Sequence, residues 1–200
     1  YEIQELQSLR STYAFMNQSE GRALSDKALR QALLRGLDKQ TYCDVLLEGG
    51  ATAGKAPVPP TLDFGFDDLN DENSYDPEGA KKLLDDAGIV DTDGDGIREL
   101  DGQNINLHYV SYENRLLNDF SNAHIQYLAE IGIGCTADYG SSDDQWSKLA
   151  AGDYDFNNNN WITVGTGDPY AYMANWATDT TYCGYSNPEY DELFEQLKSE

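Results

Sequence analysis

Four asparagines in a row, Asn157, Asn158, Asn159 and Asn160, run into Trp161, and Ile162-Thr163-Val164-Gly165-Thr166-Gly167 then leads to Asp168-Pro169-Tyr170. Side-chain amides both donate and accept hydrogen bonds, an indole stacks and donates, and a carboxylate accepts or pairs with a cation. Such a stretch makes a poor core, because each amide and the carboxylate would need a partner if buried. It suits the wall of a wet cleft that recognises a small molecule. In that reading Trp161 and Tyr170 are stacking walls, Asp168 anchors a cation or an amine, and Asn159 and Asn160 supply hydrogen bonds. A plainer reading stands beside each: Asp168 caps a turn before Pro169, Trp161 packs, and the asparagine run is an exposed strand edge. Trp146 and Trp176 read as packing residues.

Metal-ligating chemistry is concentrated in Asp91-Thr92-Asp93-Gly94-Asp95-Gly96-Ile97-Arg98-Glu99. Asp at alternate positions followed by Gly resembles the start of a calcium loop, where carboxylates converge on a hard cation. Such a loop closes with a bidentate Glu at its twelfth position, which here is Gly102. Two readings stand: a tight hairpin turn rich in Asp and Gly, or a calcium site built from Asp91, Asp93, Asp95 and Glu99. No other cofactor is expected. Cys43, Cys135 and Cys183 form no CxxC pair and have no matching His cluster, so structural zinc is not expected. Core positions are their plain reading, with one disulfide left open. Catalysis is not expected either. Neither His108 nor His124 sits in a nucleophile–base motif, and a glycosidase-like carboxylate pair is the remaining enzymatic option.

The balance of 36 acidic against 13 basic residues gives a net charge of −23. That excludes nucleic acid as a partner, since phosphate binding needs clustered Lys and Arg, and it disfavours an anionic membrane surface. Acidity on this scale serves solubility and weakly favours cationic ligands. No apolar run approaches the ~18 residues of a membrane span. Two hundred residues with 40% hydrophobic content fit one domain over 1–200. Tyr1 stands without an initiator Met and the last residues read as an interrupted helix, so the chain is expected to be a piece of a longer protein.

The elements that must position these residues alternate. A β-prone segment over 6–16 carries Thr12-Tyr13-Ala14-Phe15. Ser25 is expected to cap a helix with Ala28, Leu29, Ala32, Leu33 and Leu37 on one face, continuing over 41–47. Pro57, Pro59 and Pro60, with several Gly and Asp residues, make 51–74 a long loop. Asp76-Pro77 starts a helix with Ala80, Leu83, Leu84 and Ala87 inside and Gly88 at its end. Ile105, Leu107 and Tyr109 alternate as a strand. A long helix follows with Leu116, Leu117, Phe120, Ala123, Tyr127, Leu128 and Ile131 inside, and His124 at the border of that face as a helix-surface or satisfied packing residue. Then come a strand over 135–139, a helix capped by Ser142 that carries Trp146 and Leu149, a strand over 154–161, and a helix from Asn187-Pro188 with Tyr190, Leu193, Phe194 and Leu197 inside. Helices alternating with short strands define an α/β layered domain.

Several segments, in order, resemble one known family. They are Leu24-Ser25-Asp26 with Leu29-Arg30-Gln31-Ala32-Leu33 and Leu37-Asp38; Tyr75-Asp76-Pro77-Glu78 with Leu83-Leu84-Asp85-Asp86-Ala87-Gly88; Gly152-Asp153-Tyr154-Asp155; Gly167-Asp168-Pro169; and Tyr185-Ser186-Asn187-Pro188-Glu189-Tyr190-Asp191. The family is the family 5 extracellular solute-binding proteins of ABC transporters, which includes dipeptide-, oligopeptide- and nickel-binding members. The resemblance implies a periplasmic-binding-protein-like (type II) α/β fold, and this chain is similar to the inserted second lobe, a short mixed sheet flanked by helices. It implies no catalysis, an extracytoplasmic or lipoprotein location, a small solute such as a short peptide or a metal chelate, and two further partners: the missing first lobe and a membrane permease. A ligand-sensing module is the alternative use of the same fold. In peptide-binding relatives the strand ends in a Trp followed three residues on by an Asp that pairs with the peptide amine. Here Trp161 is followed at that spacing by Val164. Either Asp168 takes that role from a different place or the ligand lacks a free α-amine. The Thr166-Gly167-Asp168-Pro169 form also resembles members assigned to metal-chelate uptake.

Overall fold

The structure, a computed structural model, describes residues 4, 6–62, 64–114, 116–165 and 167–198. Strand β1 (Arg10–Met16) is the Thr-Tyr-Ala-Phe segment. A 3-10 turn over Ala23–Ser25 leads into helix α1 (Lys27–Gly36), whose cap is Asp26 rather than Ser25. The Asp26 carboxylate accepts from Leu29 N at 2.8 Å, satisfying one of the free N–H groups of the first turn. Leu29, Ala32 and Leu33 are fully buried, as their 3.6-residue spacing requires. The helix does not run on: Leu37 leaves it with extended backbone, Asp38 caps the short α2 (Lys39–Thr41), and a π-turn follows over Tyr42–Leu46.

The described residues of 51–74 carry no helix or strand. Asp76 caps α3 (Pro77–Asp86) by accepting from Gly79 N at 2.9 Å, with Pro77 in the first turn. Ala80 and Leu84 are buried, whereas Ala87, at the C-cap, is exposed. A small hairpin of β2 (Glu99–Leu100) and β3 (Gln103–Asn104) precedes β4 (Asn106–Tyr112), α4 (Leu117–Glu130), β5 (Gly134–Gly140), α5 (Ser142–Ala151), β6 (Phe156–Ile162), the single turn α6 (Tyr170–Met173) and α7 (Pro188–Leu197). Leu116 is not on the inner face of α4; it stands before the helix in left-handed backbone (φ 62°) and is exposed. Leu193 likewise faces outward from α7. The cap of α5 is Ser141, one residue before the expected Ser142, in a reciprocal capping box with Asp144.

The sheet order is β1-β6-β4-β5, with β4 parallel to both β5 and β6 and β1 antiparallel to β6. Helices α1, α3 and α4 build the core on one face around Leu29, Leu33, Leu84, Leu107, Tyr109 and Phe156. The opposite face packs Phe15, Val110, Leu149, Tyr154 and Cys183 beneath α5. This is the α/β class read from the alternation of elements. His124 is buried and hydrogen-bonded to the Tyr109 hydroxyl, and burial pushes its pKa down to about 3, so it packs as a neutral ring. All three cysteines are free thiols. No helix among the described residues is long and apolar enough to cross a membrane.

The asparagine run departs most from expectation. It is no exposed edge: Asn157, Asn158 and Asn159 are at most 3% exposed and lie in β6, an interior strand. Each of the three amides finds at least one partner, and Asn158 is partnered on both its oxygen and its nitrogen. Asn158 accepts from Ser111 Oγ at 2.6 Å and donates to Leu117 O at 2.8 Å and Ser121 Oγ at 3.3 Å, tying β6 to β4 and α4. Truncating it takes a partner from three buried groups on two elements, at about 1–3 kcal/mol for each group left unsatisfied, relieved in part by relaxation. Asn158→Ala is therefore expected to lower the unfolding free energy by about 2–4 kcal/mol. A urea titration checks this, and a loss below about 1 kcal/mol at an unchanged m-value would show the amide to be dispensable.

Candidate functional site

β6 follows β1 along its whole length but meets β4 only at Tyr109↔Phe156 and Val110↔Asn157. Beyond that point the two parallel strands part. The connection from β4 through α4 places β5 on one side of β4, and the connection through α5 places β6 on the other. A crevice between strands whose connections diverge in this way, at their carboxyl ends, is where open α/β sheets take ligands. A cleft of about 900 Å³ lies there. Tyr112 and Glu113 enter it from the end of β4, Tyr139 from β5, Trp146 from α5, and Asn159 and Trp161 from β6.

Where β4 leaves, side-chain amides take its place along the β6 edge. Asn158 O accepts from Gln145 Nε2 at 2.8 Å and from Asn157 Nδ2 at 3.1 Å, and Asn160 N donates to Asn159 Oδ1 at 2.9 Å. Backbone groups that would otherwise be buried without partners are thereby satisfied. Trp161 stands edge-on to Trp146 at 6.0 Å between centroids, and Trp146 packs on Tyr182 at 5.3 Å. Asn160 also lines the cleft, but both halves of its amide are taken, by Arg10 Nη1 at 2.6 Å and Thr12 Oγ1 at 2.8 Å. Asn159 Nδ2 has no partner among the described residues.

The structure thus brings Asn159, Asn160 and Trp161 together and sends the rest of the expected wall elsewhere. Asp168 is exposed, does not line the cleft, and accepts from Tyr170 N at 2.8 Å, which starts the α6 turn. Tyr170 stacks on Phe194 at 4.8 Å and 10°, with Lys198 over its ring, so it packs against α7. Val164 is buried at 2% exposure and presents nothing to the cleft. Thr166 lies outside the described residues. Sequence reasoning missed Arg10, Tyr112, Glu113 and Tyr139, and took Trp146 for packing alone. Each aromatic or acidic one stands at or just past the carboxyl end of a strand, and only the strand order shows that those ends meet.

Helix α5 is held to the sheet by charge as well as by Leu149. Asp138 on β5 takes the Lys148 ammonium and His108 Nε2, the latter at 3.2 Å. In the Asp-rich loop, Asp91, Asp93 and Glu99 bring carboxylate oxygens within 4.8 Å of one another. Those carboxylates already hold the loop: Asp91 accepts from Gly94 N and Gly96 N, and Glu99 from Thr92 N and Oγ1. Asp95 stands outside that group and accepts from Asn104 Nδ2 at 2.6 Å.

A mixed sheet with flanking helices and a crevice at the carboxyl ends of its strands is the architecture shared by the periplasmic-type binding proteins whose solved structures it resembles. The chain matches the family described as bacterial extracellular solute-binding proteins, family 5 Middle, over residues 1–182, and it belongs to that family. Oligopeptide-binding protein AppA of Bacillus subtilis is 29% identical over 125 residues, which are 61% of this chain and 23% of AppA. Heme-binding protein A of Haemophilus influenzae is 33% identical over 87 residues, 44% of this chain and 16% of that protein. The structure of AppA in complex with a nonapeptide aligns with a TM-score of 0.83 at 24% identity, over 96% of this chain and 39% of AppA's. NikA from Brucella suis in complex with Fe(III)-EDTA aligns with a TM-score of 0.80 at 18% identity, over 96% and 39%. At those identities the structural likeness speaks for the fold. The stretches matched in sequence span less than a quarter of these curated relatives, and the structural alignment 39% of AppA's chain.

One prediction follows from how α5 is anchored. The Lys148 hydrogen bond, then that of His108, holds the Asp138 carboxyl below its ordinary 3.8. A carboxyl depressed in the folded state adds stability above its unfolded value, and that stability is lost as pH falls through the folded value. Asp138→Asn is expected to flatten the acid limb of the stability curve below about pH 4. The effect is small, because the Asp138 side chain is 38% exposed and screened. Urea midpoints across pH test it; parallel acid limbs for variant and parent would refute it.

Proposed function

We propose that this chain is one ligand-binding lobe of a two-lobed, extracytoplasmic solute-binding protein that delivers a small solute to an ABC-transporter permease. The observation that carries the reading is the cleft at the carboxyl ends of β4, β5 and β6, walled by Trp161 and Trp146. A cleft open on one side needs a second lobe to close it, and capture requires tighter binding in the closed state than in the open one. Binding rather than turnover is the proposed role.

The ligand classes of the relatives set the range: AppA is named for oligopeptides, and NikA was solved with Fe(III)-EDTA. A short peptide or a metal chelate is the solute class we carry over. Among the described residues none lining the cleft is His or Cys, so a metal would arrive with its own ligands and be held through the chelator. The amine anchor expected of a peptide site is not carried by Asp168, and Glu113 is the carboxylate at this wall.

Native mass spectrometry of the full-length protein is expected to show a co-purified small molecule. Trp161→Ala should weaken that solute by about tenfold or more, equivalent to about 1.4 kcal/mol, and Asp168→Ala should leave it within about twofold. Loss of binding in Asp168→Ala with none in Trp161→Ala would put the site elsewhere. We also propose that the Asp91 loop acts as a turn, so added calcium should leave the melting temperature unchanged; a chelator-reversible rise of several degrees would establish a calcium site there.

A further inference from the structure

Among the described residues lining the cleft, Arg10 is the one basic residue and Glu113 the one acidic residue. Arg10 belongs to no ion pair among the described residues, with Glu113 or with any other carboxylate. Elsewhere in this chain of 36 acidic residues, Arg22 meets Asp153 and Asp155, and Arg98 meets Asp85. Arg10 is held by a neutral amide instead. Its Nη1 donates to Asn160 Oδ1 at 2.6 Å, and Asn160 Nδ2 donates to Thr12 Oγ1 at 2.8 Å. A guanidinium only donates, so the amide must turn its oxygen toward Arg10. Thr12 stands opposite Asn160 in the β1–β6 register, and Arg10, two residues earlier on β1, shares its face. The sheet thus fixes a half-buried guanidinium at the cleft and leaves its charge uncompensated.

The bond to Asn160 uses one of the five guanidinium N–H groups, and no other side-chain hydrogen bond of Arg10 occurs among the described residues. Asn160 and Trp161 are neighbours on β6 and project to opposite faces, so Arg10 flanks one side of the strand end and the aromatic wall the other. Both line the same cleft. A fixed guanidinium matches a carboxylate, whose two oxygens take its paired N–H groups. A phosphate dianion brings a second charge, for which the described lining holds no second cation and which Glu113 repels. In an open cleft water serves Arg10. Once water is excluded, a guanidinium without a counter-ion is costly, so a carboxylate on the solute stabilises the closed state more than the open one. Glu113 offsets Arg10 in the sum of charges, so the wall stays neutral overall and the anchor is local.

We propose that Arg10, positioned by Asn160, anchors a free carboxylate of the solute; the proposal rests on the cleft being the solute site. That chemistry has two sources, the C-terminus of a short peptide or the carboxylate arms of a metal chelate. Asn160 is a positioning residue in this scheme, because both halves of its amide are occupied within the protein.

The test is isothermal titration calorimetry on the full-length protein with trialanine, trialanine carrying a C-terminal carboxamide, and Fe(III)-EDTA. The expected result is either trialanine bound about tenfold or more tightly than its carboxamide, or Fe(III)-EDTA bound, and the probe that binds identifies the source. Arg10→Gln should weaken that acid probe by about tenfold or more and, on the peptide route, bring trialanine and its carboxamide within about threefold of each other. A general loss of structure would weaken both peptides alike, and that outcome overturns the anchor. Asn160→Asp keeps an oxygen for Arg10, lets the Thr12 hydroxyl donate instead of accept, and supplies the counter-ion itself. It should weaken the acid probe by about fivefold or more. An acid probe retained by either variant overturns the anchor; if Trp161→Ala loses that probe the cleft reading stands, and if it does not, both fall. If no probe binds, the co-purified solute decides: one with a free carboxylate that Arg10→Gln loses supports the anchor, and one without a carboxylate, or retained by Arg10→Gln, overturns it. No co-purified solute at all overturns both readings.

Discussion

The cleft exists because β4 and β6 part after Val110 and Asn157 while the edge this opens in β6 remains hydrogen-bonded. A strand that loses its neighbour inside a protein leaves buried N–H and C=O groups, each costly unless another partner is found. Here the replacement is built from side chains: Gln145 and Asn157 on one carbonyl and Asn159 on the next available N–H. With apolar residues at those positions, the two strands would gain by zipping together, and the crevice would close. The run of amides is thus a device for holding a sheet open at one end. Its alternate members serve the other face: Asn158 fastens β6 to α4 and Asn160 fastens it to β1.

Helix α5 is the second half of the same device. Positions 145 and 149 are one helical repeat apart on the face turned to the sheet, so Gln145 reaches the β6 edge while Leu149 enters the core. Trp146, the next residue round the helix, faces the cleft, and Lys148 reaches Asp138 on β5. One ten-residue helix therefore sets the strand edge, the aromatic wall and the electrostatic tie across the sheet. Its placement is fixed at both ends, by the Ser141–Asp144 capping box and by Gly152 in left-handed backbone (φ 69°).

Much of the scaffold is local and hence legible in the residues. The helical spacing in α1, α3 and α4, the Asp-Pro and Asn-Pro starts of α3 and α7, and the alternation in β4 depend on neighbours a few residues away. Where two cap-competent residues stand side by side, Asp26 prevailed over Ser25 and Ser141 over Ser142, because backbone geometry chooses between them. The site depends on distant partners. Whether four amides are core or surface turns on Ser111, Leu117, Ser121 and Gln145, which no spacing near residue 157 reveals. Tyr170 and Asp168 follow Trp161 closely in sequence, yet the α6 turn takes them to α7, and Tyr112 and Tyr139 reach the cleft from strands far away in the chain.

The overall charge of −23 suggests a cationic ligand, but the cleft does not share it. Among the described residues its lining holds one acidic residue, Glu113, and one basic residue, Arg10, beside the amides and aromatics. The acidic excess lies elsewhere, in stretches such as 67–72, 85–86 and 91–101, where it keeps the surface hydrated. In the proposed site, stacking and neutral hydrogen bonds would outweigh net charge in recognition, and such hydrogen bonds gain strength when water is excluded. In an open half-cleft, water competes for every one of those hydrogen bonds; in the two-lobed protein we propose, a second lobe closing over the same groups would remove the competitor. A neutral site of this kind suits a protein that must hold its solute when shut and release it when open.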